Sequence, residues 1–430
     1  MTTHPVILGH VDVPTGKLLI LDPGLAKHWK HDQLPTSKLP EADYQIAGPD
    51  AKQAAMKFDR QFDPGFLFDI AANHAHKILE SFNELCLKEQ LCASLNQMPN
   101  RVPHLERAFS AIDIGHGCGV VQYDGLWAVA VGGVECGDIM EIRAYRMPEG
   151  EFGRRWHRLE MVSLKPPIGM ETCQPTVEGI MVDHGQFIFS DLNAFGDFKM
   201  WQPFDGLADF VFWGKDAELL ARRHRAAEIG DGEFGFKNVS LEELARLTQP
   251  IVDDIKSSDM RVAQDYRPHC NLERLNSQIR VSETRSGTVV LREARSVGCD
   301  NTWGDGIFGV QRCVDQTGRV TRVIMELGTE HRIETMRQIV LRNKLAMVTR
   351  RFTHGSEPIR FGERVEPHRD SDSGWLFTTG LETQEEMDNS ANLSLMRIEE
   401  ILRREPTLAK VLTLSVGSLI CREGDQFVLE

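Results

Sequence analysis

The sequence predicts an α+β protein: two β-rich units of tandem-duplicated pattern, followed by a small α+β domain. Three observations predict it. Short apolar runs bounded by Gly, Pro and Asp recur along most of the chain. A Val-Asp, turn, Gly, apolar run, Asp pattern occurs twice, as Val11 to Asp22 and as Val182 to Asp191. Gly115-His-Gly117 before Val121-Gln122 is echoed by Gly304-Asp-Gly306 before Val310-Gln311. The repeated unit is far longer than a solenoid repeat, so two copies of one unit are expected. Expected boundaries are 1–170, 176–335 and 341–430.

The elements follow in order. Lys17–Leu21 is a short buried strand, stopped by Asp22-Pro-Gly24. A polar loop is expected from about Lys27 to Asp50. A helix is expected over 70–97, because Ile78, Phe82, Leu85 and Leu91 stand at helical spacing. Strands and Gly-rich turns are expected from Ala111 to Leu164. In the second unit, Ser240-Leu-Glu-Glu243 fits a capping box ahead of the stripe Leu241, Leu244, Leu247, Ile251 and Ile255. In the third, Lys344–Thr349 and Trp375–Thr379 read as strands, and Ser394–Arg404 as an amphipathic helix ended by Pro406. Val416–Arg422 and Gln426–Leu429 read as a closing hairpin.

With 41% hydrophobic and 26% charged residues, the chain of 430 residues is neither disordered nor low in complexity. Its formal net charge of −14 disfavours general binding to nucleic acid or to anionic membranes. The first residues carry no basic and apolar leader pattern, and the longest apolar stretch is too short to span a bilayer. A cytoplasmic protein is expected. The nine scattered cysteines form no CxxC and read as reduced, mostly buried thiols.

Reaction chemistry is faintly signalled. Gly304-Asp-Gly-Ile-Phe-Gly309 fits G-x-G-x-x-G, but a strand pattern follows where a dinucleotide site needs a helix. An enzyme of unknown reaction at the Gly-rich turns, lined by His116, Cys118, Trp303 and Asp305, is the alternative reading. His116 and Cys118 stand two residues apart, so a strand would put base and nucleophile on one face. No cofactor and no metal are expected. A non-catalytic scaffold is the third reading.

The C-terminal segment carries Asp372-Ser-Gly-Trp375, Met387-Asp-Asn389, Arg404-Glu-Pro406, Val416-Gly-Ser418 and Phe427-Val428. In order and spacing it resembles a bacterial domain family of unknown function that also counts among polymorphic-toxin immunity proteins. In place of that family's acidic turn after the Trp strand, this chain has Gly380-Leu-Glu382. Residues 176–330 resemble a second uncharacterised bacterial family, through Val182-Asp-His-Gly185 and Trp303-Gly-Asp-Gly306. Residues 5–165 fit it loosely, with Ile114 and His116 at the Trp and Asp positions. The resemblances imply a bacterial, cytoplasmic setting beside toxins, and no established reaction.

Between Arg369 and Arg397 the chain has no Lys or Arg, but it has Asp370, Asp372, Glu382, Glu385, Glu386 and Asp388. A solvated face accounts for such a run. An acidic patch that meets a cationic partner accounts for it too. The expected function is therefore an immunity protein that neutralises a cognate toxin with a basic surface by stoichiometric occlusion, more a binding protein than an enzyme. Its partner-binding residues would be Asp372, Trp375, Glu385, Glu386, Asp388 and Asn389, with Trp375 as an anchor if exposed.

Overall fold

Leu18-Leu-Ile-Leu21 is apolar on both faces, and such a strand needs cover on both sides. In the computed structural model all four side chains are buried. The structure describes residues 4–34, 41–58, 67–97, 102–123, 126–148, 152–355 and 357–430. The chain divides into two compact units, Met1–Leu327 and Gly328–Glu430. Among the described residues no helix is long and apolar enough to cross a membrane.

The first unit begins with β1 (Val6–Val13), β2 (Lys17–Leu21), β3 (Glu41–Ala47), α1 (Ala51–Phe58), β4 (Leu67–Ala71), α2 (Ala72–Glu89) and β5 (Ser94–Gln97). Then come α3 (His104–Ile114), β6 (Cys118–Tyr123), β7 (Leu126–Gly132), β8 (Asp138–Arg146), β9 (Trp156–Ser163) and β10 (Thr172–Cys173). It continues with β11 (Val177–Val182), β12 (Gln186–Asp191), β13 (Leu207–Gly214), α4 (Ala217–His224), β14 (Ala227–Gly230), β15 (Glu233–Ser240) and α5 (Leu241–Ser257). It ends with β16 (Val262–Pro268), α6 (Asn271–Val281), β17 (Ser286–Leu291), β18 (Ala294–Asp300), β19 (Gly306–Val314) and β20 (Val320–Glu326).

One large sheet runs β17-β18-β12-β2-β7-β6. The other runs β1-β8-β9-β20-β19, with β10 and β11 both paired to β19. β1 lies across β12 and β18, and β11 lies across β6 and β7. The two sheets thereby enclose one core, with Val11, Val129, Val131, Phe187, Val297 and Phe308 inside it. Two smaller sheets, β4-β3-β5 with α1 and α2, and β14-β15-β13-β16 with α4 and α5, have cores around Phe82 and around Phe212. Each stands in the chain between the 3-10 turn after a central strand (Pro23–His28, Ala194–Asp197) and the helix α3 or α6. Two strands, a 3-10 turn, a small sheet with two helices, a helix and four strands thus follow one another twice, with an additional strand in the second small sheet.

The two segments expected as units one and two share both large sheets: β2 pairs with β12, and β9 with β20. The Gly-rich turns are not counterparts. Gly115-His-Gly117 follows α3 and precedes β6, whereas Gly304-Asp-Gly306 leads into β19, whose counterpart in the succession is β8. The helix expected over 70–97 stops at Glu89, because Gln90 takes a φ of 54° and the Leu91 N–H closes back onto the Cys86 carbonyl. Ser94–Gln97 then forms β5, and Glu41–Ala47, expected as loop, forms β3. The helix α3 lies where strands were expected to begin. In α5, the Ser240 hydroxyl accepts from the Glu243 N–H as the capping box predicts.

The second unit comprises α7 (Glu330–Arg342), β21 (Leu345–Thr349), α8 (Arg350–His354), β22 (Phe361–Arg364), β23 (Asp372–Thr378) and α9 (Gln384–Asp388). It closes with β24 (Leu393–Arg397), α10 (Ile398–Arg404), a 3-10 turn at Pro406–Lys410, β25 (Leu419–Glu423) and β26 (Gln426–Leu429). Its sheet runs β24-β21-β23-β22-β25-β26, parallel only between β21 and β23. Val348, Trp375, Phe377 and Ile420 pack there with Ile398, Ile401 and Leu408. The helix expected over Ser394–Arg404 begins only at Ile398. Leu393–Arg397 instead joins the ladder along all of β21, a gain that helical periodicity cannot match. The fold is α+β, as the sequence predicts.

Candidate functional site

In the second unit, the parallel strands β21 and β23 end side by side, and the segments that leave them enclose a groove of about 360 Å³. Arg350, Arg351 and His354 of α8 form one wall, and Glu382, Glu386 and Asn392 belong to the other. Glu382 fixes the turn after β23. Its Oε1 accepts from Thr349 Oγ1 (2.5 Å), from the Thr379 N–H (3.0 Å) and from Thr379 Oγ1 (2.8 Å), and its Oε2 from the Leu381 N–H (3.1 Å). Burial pushes this carboxyl up, but these donors prevail and hold it below the usual range.

Glu386 closes a capping box with Thr383: the Thr383 N–H donates to its Oε2 at 2.8 Å, and the Glu386 N–H to Thr383 Oγ1 at 3.2 Å. Arg351 Nη2 reaches both Glu386 oxygens, at 2.8 and 3.1 Å. The Thr383 N–H and the Arg351 guanidinium hold the Glu386 carboxyl low.

The six expected partner-binding residues therefore have different surroundings. Trp375 is 1% exposed. It stacks on Phe377 with centroids 5.3 Å apart, and its Nε1 donates to the Leu412 carbonyl at 2.9 Å. An exposed anchor was one expectation for it; its place is the core. Asp372 accepts from the Gly374 N–H (2.8 Å) and the His368 N–H (3.1 Å), and so closes the turn into β23. Glu385 and Asp388 face solvent, with Asp388 accepting from Gln384 one turn back. Asn389 is also exposed, and its Oδ1 caps the 3-10 turn at Ser390–Asn392 by accepting from the Ala391 N–H. The acid run is thus partly neutralised by a cation from outside it. Arg351 lies 35 residues before Glu386, a distance at which local charge counting finds no partner.

The alternative residues do not meet in one place. Cys118 is buried, and burial pushes its thiol up to about 12, so a thiolate is not supplied at neutral pH. His116 is exposed, and its carbonyl accepts from Arg312 Nη1 at 2.8 Å. Gly117 makes room for that guanidinium: a Cβ there would lie 1.2 Å from Nη1. Arg312 stands six residues along β19 from Gly306, on the order of 20 Å at the rise of a strand. At that far end Trp303 is buried, and its Nε1 donates to the Trp156 carbonyl at 2.7 Å. Asn301 ties the turn by accepting from the Trp303 and Gly304 N–H groups. Asp305 is exposed on it.

The cysteines also differ from expectation. Cys173 and Cys313 stand directly opposite each other on β10 and β19 and are joined as a disulfide. Glu171 lies beside them, but its carboxylate is held by Arg322 and Thr321. Cys86, Cys118, Cys270 and Cys299 are buried thiols, and Cys92 and Cys136 are exposed.

No curated protein and no solved structure matches the chain. The resemblance read from the C-terminal motifs is borne out by the family comparison: residues 346–428, most of the second unit, match the model of the Immunity protein Imm33 domain.

Proposed function

We propose that this is a cytoplasmic bacterial immunity protein that binds a cognate toxin and neutralises it by stoichiometric occlusion. The family match over residues 346–428 carries the reading. The docking surface is the α9 loop and the rim of the adjoining groove, where Glu385, Asp388 and Asn389 are exposed. Glu382 acts as a positioning residue that fixes the turn leading to this loop, while Asp372 and Trp375 fix the start of β23 and its core packing. The exposed acids favour a toxin with a basic surface, whose approach they steer at low ionic strength. The larger unit we read as a tandem duplication, supported by its twice-occurring succession of elements.

Co-expression with a toxin encoded by a neighbouring gene tests the proposal. The full chain protects growth and co-purifies with the toxin in a one-to-one complex. Glu385→Lys with Asp388→Lys abolishes both while the melting temperature holds. Intact protection by the charge-reversed variant would reject this surface; no protection by the unaltered chain would reject the function.

A further inference from the structure

We propose that a cleft of the first unit, between α6 and the turn that leads into β12, binds a small organic cation carrying a primary ammonium or guanidinium group. The cleft has a volume of about 440 Å³, the size of a small-molecule site. It lies wholly within the first unit, so the proposal does not depend on the immunity reading.

The charge inside favours a cation. Asp265, Glu273 and Asp300 line the cleft, against two guanidiniums, Arg280 and Arg285, and the imidazole of His184. Arg280 is committed to Glu273 at 2.5 Å and stands 4.0 Å from Asp265, whose Oδ2 is held by Arg267 Nε at 2.8 Å. Arg285 comes no nearer to Asp300 than 3.9 Å, beyond hydrogen-bonding distance. Among the described residues, the Asp300 carboxylate otherwise accepts only from the Gln186 amide, at 3.3 Å. Of the three, Asp300 is therefore the carboxylate without a cation at hydrogen-bonding distance among the described residues.

Hydrogen bonding favours the same ligand. Asn276 Oδ1 is buried and has no donor among the described residues. Such an orphan acceptor is costly, and a ligand N–H would satisfy it. Trp201, 54% exposed, stands on the wall with Met200 and Ile279, a ring face on which a cation can rest. Burial pushes the carboxyl of Asp300 up, and the Gln186 amide and Arg285 offset part of that. A second cleft adjoining it along α6 provides a contrast. It too is bordered by Glu273 and Arg280, but it has Lys237, Arg267 and Arg274 in its lining and is rich in donors instead.

The floor is built to keep this shape. The His184 ring packs on Gly24, where a Cβ would lie 2.2 Å from the ring, so no other residue fits beneath it. The His184 N–H and the Asp183 N–H both donate to buried Asp22 at 2.8 Å, which fixes the turn.

The cation is either a free metabolite or a basic side chain of a protein, and titration calorimetry on the full chain separates the two. The probes are agmatine and the peptide acetyl-Gly-Arg-Gly-amide. Saturable one-to-one binding of agmatine with the peptide excluded identifies a free cation; binding of the peptide identifies a side chain. In either case Trp201→Ala, at an exposed position, weakens binding about fivefold. Asp300→Asn weakens it about tenfold. Absence of saturable binding of both probes to the unaltered chain at about 10 mM, an affinity too weak for a built site, overturns the proposal. So does binding that neither substitution weakens.

Discussion

Asp22 and Asp191 hold each other's turns. Each ends a central strand of the β17-β18-β12-β2-β7-β6 sheet, and the two strands are antiparallel neighbours. Asp22 accepts from the Gly24 N–H ahead of it and reaches across to the Asp183 and His184 N–H groups that precede β12. Asp191 accepts from the Asn193 and Ala194 N–H groups ahead of it and reaches across to Thr15 N and Oγ1, at 2.9 and 2.7 Å, before β2. Both carboxylates are fully buried. Removing either leaves several donors without their acceptor at once, one of them buried in each case. Asp22→Ala and Asp191→Ala should each lower unfolding stability by about 2–4 kcal/mol. Urea melts check this, and a cost below about 1 kcal/mol would contradict the accounting.

Asp300 should be a stability liability at neutral pH. Burial pushes its carboxyl above the unfolded value, with Gln186 and Arg285 offsetting part of that. The fold therefore favours the protonated form. Its contribution is full at acid pH and is lost as pH rises through the folded value. Asn mimics the protonated form, so Asp300→Asn should raise the melting temperature by about 1–2 °C at pH 7. The gain should vanish near about pH 3.5, below the ordinary carboxylate value. Scanning calorimetry at both pH values reads this directly.

Glu382 should behave in the opposite sense. Its folded value lies below the unfolded one, so its contribution is present at neutral pH and fades on acidification. Glu382→Ala leaves Thr349 and Thr379 donors without an acceptor and should cost about 1–3 kcal/mol, mostly at neutral pH. Thermal melts at pH 7 and about pH 4 test it; equal costs at both would speak against a charged acceptor.

Core and surface in the second unit should separate cleanly. Trp375→Ala removes a buried ring and should destabilise by about 3–5 kcal/mol. Glu385→Lys and Asp388→Lys should stay within about 0.5 kcal/mol, as exposed positions do. Equilibrium unfolding followed by tryptophan fluorescence in the charge variants, and by circular dichroism in Trp375→Ala, distinguishes the two classes.

Thiol reactivity should follow burial. Iodoacetamide at pH 8 should label Cys92 and Cys136 within minutes, and spare Cys118 and Cys299 while the protein is folded. Peptide mass spectrometry decides it. Rapid labelling of Cys118 would reopen the reading of that residue as a nucleophile.

Periodicity and turn chemistry revealed much of the fold. Lys17–Leu21, the Ser240 cap, the β23 strand and the closing hairpin all form where their local signals lie. Signals failed where distant pairing decides. Leu393–Arg397 has a helical stripe, yet it completes a ladder with β21. The Gly-rich turns look alike because both start strands, but they start different ones. The acid run was legible as composition. Its neutralisation by Arg351, and the burial of Trp375, depend on which strands end side by side, and no local window carries that. The cleft beside α6 was missed altogether, because Glu273, Asp300 and Trp201 belong to three segments with no shared motif.

The pairing of β2 with β12 sets a timetable for synthesis. Leu18 finds its partner in Asp191, so the nascent chain waits on the order of ten to thirty seconds between the two at ribosomal rates. Over that interval an apolar strand that ends up at the centre of a sheet lacks its neighbour. Such an edge is a natural client for a holding chaperone, and slow or interrupted translation would raise the risk of aggregation before the first unit closes.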